Sequence, residues 1–452
     1  MIREHAPSTR PTRRRVLTGA AGGMGAALLA ACGAGGDAGS AKTGDATRGP
    51  VKFPETLYIT TIYNFQQNDP GFMATAEEFG RQHAVKLEFT PGNVQEVVTK
   101  MAAGTPPDVF RRDAAAFHQQ VADGSIRDLN PYFKSEKEFK IADFFPSLIR
   151  MQTFQGQLMA VPEDLQPAST LYFNKGLLQQ AGVQPPNENT TWAQFLELTQ
   201  KLTKGSDPKD VYGYMFPAWT WEQFVYNHGG QTVDNTEHPT KCLLDQPKAI
   251  EGVQFFVDLQ HRLKVMPSPE ARRQLNNANE NTLFQQGKLA MVNHGTWATA
   301  TWQQAGDSLQ WGMTLAPKGQ DGKWHYATGG AGWAIPKDTK APEASWEWMK
   351  WQFSANGWKI WLPKRDPKVF WLPAVRSVAE PEAKRLESLY PNASAVVKSA
   401  EDLYLRPGGV RWAKAATEVL NAVLTELNEG KVQARTALTE ATPRINSILT
   451  SG

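Results

Sequence analysis

The chain has 452 residues, 41% hydrophobic and 21% charged, a length that suits two or three domains with a sizeable core. Two cysteines exclude a disulfide framework and a four-cysteine zinc site, and eight histidines show no close pair at metal-ligand spacing, so no cofactor or metal is expected. The formal charge of +3 belongs to the leader: removing its five arginines (Arg3, Arg10, Arg13, Arg14, Arg15) and one acid (Glu4) turns +3 into −1, so no nucleic-acid partner is expected.

Thr12-Arg13-Arg14-Arg15-Val16-Leu17-Thr18 is a twin-arginine pattern. The uncharged, Gly- and Ala-rich stretch that follows to Ala31 is too short and too weakly apolar to span a bilayer, and no later apolar run reaches the ~18 residues needed. Leu29-Ala30-Ala31-Cys32 resembles a bacterial lipobox, so residues 1–31 read as an export signal and Cys32 as a lipid anchor. The alternative is a plain secretory signal followed by an incidental cysteine. A diacylglyceryl cysteine carries two or more acyl chains, enough for lasting attachment to the outer face of the cell membrane. Residues 32–50, rich in Gly, Ala, Ser and Thr, read as a flexible tether with a reach of roughly 20–25 Å.

Beyond the tether, strand and helix signals alternate. Leu57–Ile62 is β-branched and aromatic and predicts a first strand, running into a polar turn at Asn64–Asn68. Residues 71–83 carry a helical period (Phe72, Met73, Ala76, Phe79), Val85–Phe89 alternates as a second strand, a helix follows over Val94–Ala103, and Asp108–Phe110 is a short strand. The alternation resumes at Leu158–Pro162, Ser169–Phe173, Trp192–Leu202, Lys248–Leu263 and Lys288–Asn293, and the chain ends in helices over Trp412–Leu427 and Val432–Leu449. Such alternation argues for an α/β fold with parallel sheets. Trp348/Trp351 and Trp358/Trp361 have helix-face spacing and read as a buried stripe, Trp346 as packing at a lobe surface, and Cys242 as a small buried hydrophobe.

Ala103-Gly104-Thr105-Pro106-Pro107-Asp108-Val109-Phe110 resembles a segment of the bacterial extracellular solute-binding proteins, the sugar-binding receptors of ABC importers. Gly156–Pro162, Leu171–Lys175, Ala181-Gly182-Val183 with Thr191-Trp192, Phe284–Met291 with Gly295-Thr296-Trp297, and Gly329–Ile335 resemble further segments in the family's order, over roughly residues 51–450. The resemblance implies a two-lobed α/β fold of the periplasmic-binding-protein type, with a hinge and a ligand cleft between the lobes. By analogy, residues 51–163 plus 329–375 make lobe 1, and 164–328 plus 376–452 make lobe 2. It further implies a monomer that delivers a carbohydrate to a permease driven by a separate ATPase subunit.

A sugar cleft wants aromatic platforms beside fixed polar groups. Trp297, at the end of a predicted strand, is the leading stacking candidate. Arg112 and Asp113 lie on the loop after a strand, and Asp164 sits just past the Val161-Pro162 crossover. Tyr63, Asn64 and Gln66 belong to the first-strand loop. Trp219 and Trp221 follow Phe216-Pro217, Gly330 and Trp333 fall at the second crossover, and Arg365 and Trp412 come from loops that often reach the cleft. Aromatic content favours a neutral di- or oligosaccharide, while Arg111 and Arg112 leave open an acidic or phosphorylated sugar or polyol. A glycoside-active enzyme is the alternative of another class; it needs two carboxylates about 5–10 Å apart, and no nucleophile elbow, His-Glu-x-x-His or Walker loop is present.

Overall fold

The computed structural model describes residues 50–62, 68–113, 124–205 and 208–451; the expected signal, Cys32, the tether before Pro50, and Tyr63, Asn64 and Gln66 lie outside the described residues. In chain order the strands are β1 (Thr56–Thr61), β2 (Lys86–Pro91), β3 (Val109–Asp113), β4 (Thr153–Phe154), β5 (Gln157–Leu158), β6 (Val161–Pro162), β7 (Asp164–Pro167) and β8 (Thr170–Asn174). There follow β9 (Tyr212–Met215), β10 (Leu289–His294), β11 (Trp311–Leu315), β12 (Tyr326–Gly329), β13 (Ala331–Ala334), β14 (Leu372–Pro373) and β15 (Leu403–Tyr404).

These strands assemble the two-lobed α/β architecture. The first sheet has the order β2-β1-β3-β13-β6 and the second β11-β8-β10-β9. In a third, β14-β7-β12-β15, the strands β7 and β12 lie where the chain passes between the other two, and β14 and β15 follow the last strand of the first sheet. The parallel sheets expected from the alternation hold only in part. β1 pairs parallel with β2 and β3, whereas β13 runs antiparallel to β3 and β6. In the second sheet β10 is parallel to β9 and β8 is antiparallel to both β10 and β11. Both antiparallel strands enter their sheets directly from a strand of the third sheet, β8 from β7 and β13 from β12.

Helix boundaries follow local chemistry. Asp69 accepts from the Phe72 amide at 2.9 Å and Pro70 occupies the first turn, starting the helix Pro70–His83. Asn93 and Glu96 make a capping box for Val94–Ala102, as do Thr191 and Gln194 for Trp192–Leu202. The expected helix Trp412–Leu427 is divided: Val410–Ala415, one wide π turn over Ala416–Leu420, then Asn421–Asn428.

Tryptophan dominates the core beside the first sheet. Trp346, Trp348, Trp358 and Trp361 are fully buried on the helices Pro342–Phe353 and Ala355–Trp361. Trp346 therefore does not pack at a surface; its indole N–H donates to Glu136 at 2.8 Å. Trp351 is only partly buried and donates to the Thr75 carbonyl. Trp333 stacks on Phe72 at 5.7 Å and meets Trp348 edge-on at 5.3 Å, geometry that adds to the energy of burial alone. Cys242 is buried, as expected. Among the described residues no helix is long and apolar enough to cross a membrane, and no group of three His, Cys, Asp or Glu is placed to hold a metal ion.

Candidate functional site

The first and third sheets, with the segments that follow β9 and β10 of the second, border a cavity of about 900 Å³, in the range of small-molecule sites. Its first wall comes from the first sheet and the adjoining helices. Ile62 follows β1, Asp69 caps the helix Pro70–His83, and Arg111 projects from β3. Successive side chains on a strand face opposite ways, so Arg111 and Arg112 cannot share a surface. Arg111 borders the cavity; Arg112 is buried and does not line it. The expectation for Arg112 thus falls one residue off the position that the strand turns toward the cleft.

Arg111 is held from behind. Its Nε and Nη2 meet the Glu163 carboxylate at 2.5 and 3.2 Å, and Glu163 is completely buried. Trp333, paired with Arg111 across β13 and β3, donates its indole N–H to the same carboxylate at 2.7 Å. Trp333 therefore lies in the core with no exposure and does not line the cavity; its polar edge pins Glu163. A second unit of the same kind stands beside it. Asp69, almost buried, accepts from the Trp361 indole at 2.8 Å and faces Arg365 at 3.4 Å, while the Arg365 guanidinium lies 4.2 Å over the Trp371 ring. Burial raises the Asp69 pKa, with Arg365 and the two hydrogen bonds opposing it.

The third sheet supplies the floor. Asp164 opens β7 and is fully buried; its carboxylate accepts from the Ala331 amide at 3.3 Å and from the Gln166 side chain. Burial, then the neighbouring Glu163 charge, pushes its pKa well above the usual carboxylate value, against Arg111 and Arg365. Gly330, between β12 and β13, has φ 119°, and a Cβ there would sit 3.0 Å from the Asp164 backbone and side-chain oxygens. Only glycine fits this close approach.

The opposite wall comes from the second sheet. Trp297 follows β10 and begins the helix Ala298–Gln303; it is partly exposed, and its ring packs against the Ala168, Ala327 and Tyr404 cluster of the third sheet. A Cβ on Gly295 would fall within 2.2 Å of three Trp297 ring atoms, so the missing side chain at Gly295 is what seats this indole. Trp219, 38% exposed, lies 6.3 Å from Trp297 with ring planes 20° apart, and the two make a continuous aromatic surface. Arg406 sits 5.7 Å over Trp219 and pairs at 3.2 Å with Glu222, buried at the start of the helix Glu222–Asn227.

Of the candidates from sequence, Asp164, Trp219, Trp297, Gly330 and Arg365 border this cavity together. Trp221 and Trp412 are buried and do not line it; Trp412 lies on the helix Val410–Ala415, which packs with the C-terminal helix. Asp113 ends β3 opposite Ala331. Asp69, Gln166, Trp371 and Arg406 line the cavity without having been singled out. The Asp69-Pro70 pair is a helix-start signal that points to Asp69; for the other three no local signal exists.

A family model described as bacterial extracellular solute-binding protein matches residues 74–385. Binding proteins of Brucella abortus and Brucella suis are each 22% identical over 387 residues, covering 81% of this chain and 85% of theirs. Among solved structures, the chain is similar to an ABC substrate-binding protein of Listeria monocytogenes in complex with cycloalternan. That match has a TM-score of 0.74 and 20% identity, over 88% of this chain and all of that one. It is also similar to the cyclic α-maltosyl-1,6-maltose binding protein of Arthrobacter globiformis, with TM-score 0.71, 19% identity and the same coverage. A solute binding protein of Thermotoga lettingae bound with α-D-tagatose matches at TM-score 0.68 and 19% identity, over 88% of this chain and all of that one.

Proposed function

The chain belongs to the bacterial extracellular solute-binding proteins, and from that premise we propose that it is the receptor subunit of an ABC importer that takes a neutral di- or oligosaccharide in the cavity between its sheets. The observation that supports this most is the pairing, across one cavity, of the Trp219–Trp297 surface with a wall of fixed polar groups. Pyranose rings present apolar C–H faces to indoles and hydroxyls to carboxylates, amides and guanidinium donors, and both are at hand. The saccharides named for the solved relatives support the same ligand class. Arg111 is already engaged by Glu163, so it argues less for an acidic sugar than its position in sequence does.

On this reading the lobes meet at 163/164, 328/329 and 375/376, and the third sheet is the hinge. Its strands β7 and β12 pair where the chain crosses between lobes, and β14 ends just before the last boundary. Ligand closes the hinge, and the loaded form docks on the permease, whose separate ATPase drives uptake. The body is a monomer held at the outer face of the cell membrane through lipidated Cys32, and it binds its sugar without turning it over.

The test is a set of thermal melts of the purified protein against neutral oligosaccharides, monosaccharides, polyols, uronates and sugar phosphates. A ligand at about 100 times its dissociation constant adds ~2.7 kcal/mol, or about 3 °C for a chain of this size. A shift with neutral oligosaccharides is expected, with no hydrolysis of chromogenic glycosides. A shift with acidic ligands alone, or with none, refutes the proposed ligand class.

A further inference from the structure

Four arginines border the cavity among the described residues, and three of them stand against a carboxylate sunk behind them. Arg111 has Glu163, Arg365 has Asp69, and Arg406 has Glu222; these three acids are 0 to 4% exposed, while Arg150 is exposed. Two of the acids are also fixed in place by a second donor. An indole N–H holds Glu163 and another holds Asp69, whereas Glu222 opens a helix and meets Arg406 through Oε1 alone, its Oε2 buried and without a partner. Two of the arginines lie over tryptophans that border the same cavity, Arg365 over Trp371 and Arg406 over Trp219.

A guanidinium keeps its charge in proteins and carries five N–H donors. With a carboxylate behind it, its net charge toward the cavity is cancelled while the donors not used by that carboxylate still face a ligand. We propose that Glu163, Asp69 and Glu222 set the ligand-charge selectivity of this cavity: they make the three arginines into neutral donor units, so that an uncharged polyhydroxylated ligand is accepted and its carboxylate-bearing analogue refused. This rests on the carbohydrate reading above and adds to it the residues that decide between neutral and acidic sugars. Glu222 is the position to test. Asp69 caps a helix and Glu163 sits at zero exposure in the core, whereas Glu222 joins the cavity only through Arg406, which is 35% exposed.

The experiment uses calorimetry on wild type and Glu222→Gln, with neutral gluco-oligosaccharides and the same oligosaccharides oxidised at C6 to the uronate. Glu222→Gln removes the charge and leaves an oxygen to accept from Arg406. Wild type binds a neutral member at least ~10-fold more tightly than its uronate, and in Glu222→Gln that ratio moves by ~10-fold toward the uronate. The shift shrinks as salt rises from 20 to 500 mM, a response that loss of packing alone does not give. If Glu222→Gln does not fold, Arg406→Gln tests the same pair from the other side, and its ratio moves further against the uronate. A neutral member that binds with an unchanged ratio in these variants overturns the charge assignment and leaves the carbohydrate reading intact. Failure of wild type to bind these and every other neutral oligosaccharide of the melt panel overturns the carbohydrate reading and this inference with it.

Discussion

The two walls of the cavity are built on opposite plans. The wall at the first sheet is a set of ion pairs whose acids are buried and held by tryptophan N–H groups: Arg111, Glu163 and Trp333, then Arg365, Asp69 and Trp361. The wall at the second sheet is led by two indole faces, Trp219 and Trp297, on turns that follow β9 and β10, with one ion pair, Arg406 and Glu222, beside Trp219. In the first wall Trp333 and Trp361 serve as hydrogen-bond donors deep in the core, with only the Trp371 ring at the cavity; in the second Trp219 and Trp297 offer their rings, with the Arg406–Glu222 pair beside them. The difference teaches that the same residue type takes either role according to which edge the fold leaves accessible. Breaking the first wall should therefore cost stability, and breaking the second should cost binding.

The largest expected effect tests that division directly. Glu163→Ala removes the buried carboxylate that Arg111 and the Trp333 N–H share and should lower unfolding free energy by about 3–5 kcal/mol, read from urea denaturation. A loss confined to ligand affinity would erase the contrast between the walls. Next comes Trp297→Ala, which should weaken binding of the cognate neutral sugar about 30-fold, roughly 2 kcal/mol by calorimetry, at nearly wild-type melting temperature. Gly295→Ala should mimic it, because the added methyl group displaces the Trp297 ring.

A subtler effect belongs to the floor between the walls. The Asp164 carboxyl is pushed above its ordinary value of 3.8, so its protonated form favours the folded state below that value, and the contribution is lost as pH rises through the folded-state pKa. Asp164→Asn keeps a neutral group at all pH values. Its melting temperature relative to wild type should rise between pH 4 and pH 8, and a flat difference across that range would show that the buried carboxyl carries no such cost. The smallest effect is Trp219→Ala, about threefold in affinity or ~0.7 kcal/mol, since this ring is 38% exposed and already shares its surface with Trp297.

Much of the fold was legible because it is written locally. The strand Lys86–Pro91, the helix Trp192–Leu202 and the strand Leu289–His294 follow from hydrophobic period and capping residues within a few positions of one another. The third sheet was not legible. Its strands are two to four residues long and draw on four separate stretches of chain, too short to show a period. The direction of β8 and β13 escaped for a related reason, since alternation of elements says nothing about how a crossover strand enters its sheet.

By itself the sequence determined the α/β class and the family, because each depends on order and spacing along one chain; the two lobes came with the family resemblance. Only the tertiary structure decided that Arg111 rather than Arg112 meets the cavity, that Trp333 pins a buried acid instead of offering its ring, and that Asp69, Trp371 and Arg406 join the site. Those outcomes depend on which side of a strand faces the cleft and on which buried carboxylate lies behind each cation. Such pairs form between residues up to about three hundred positions apart, as Asp69 and Arg365 do. Desolvation makes an unpaired buried charge too costly to persist, and only packing settles which partner it finds.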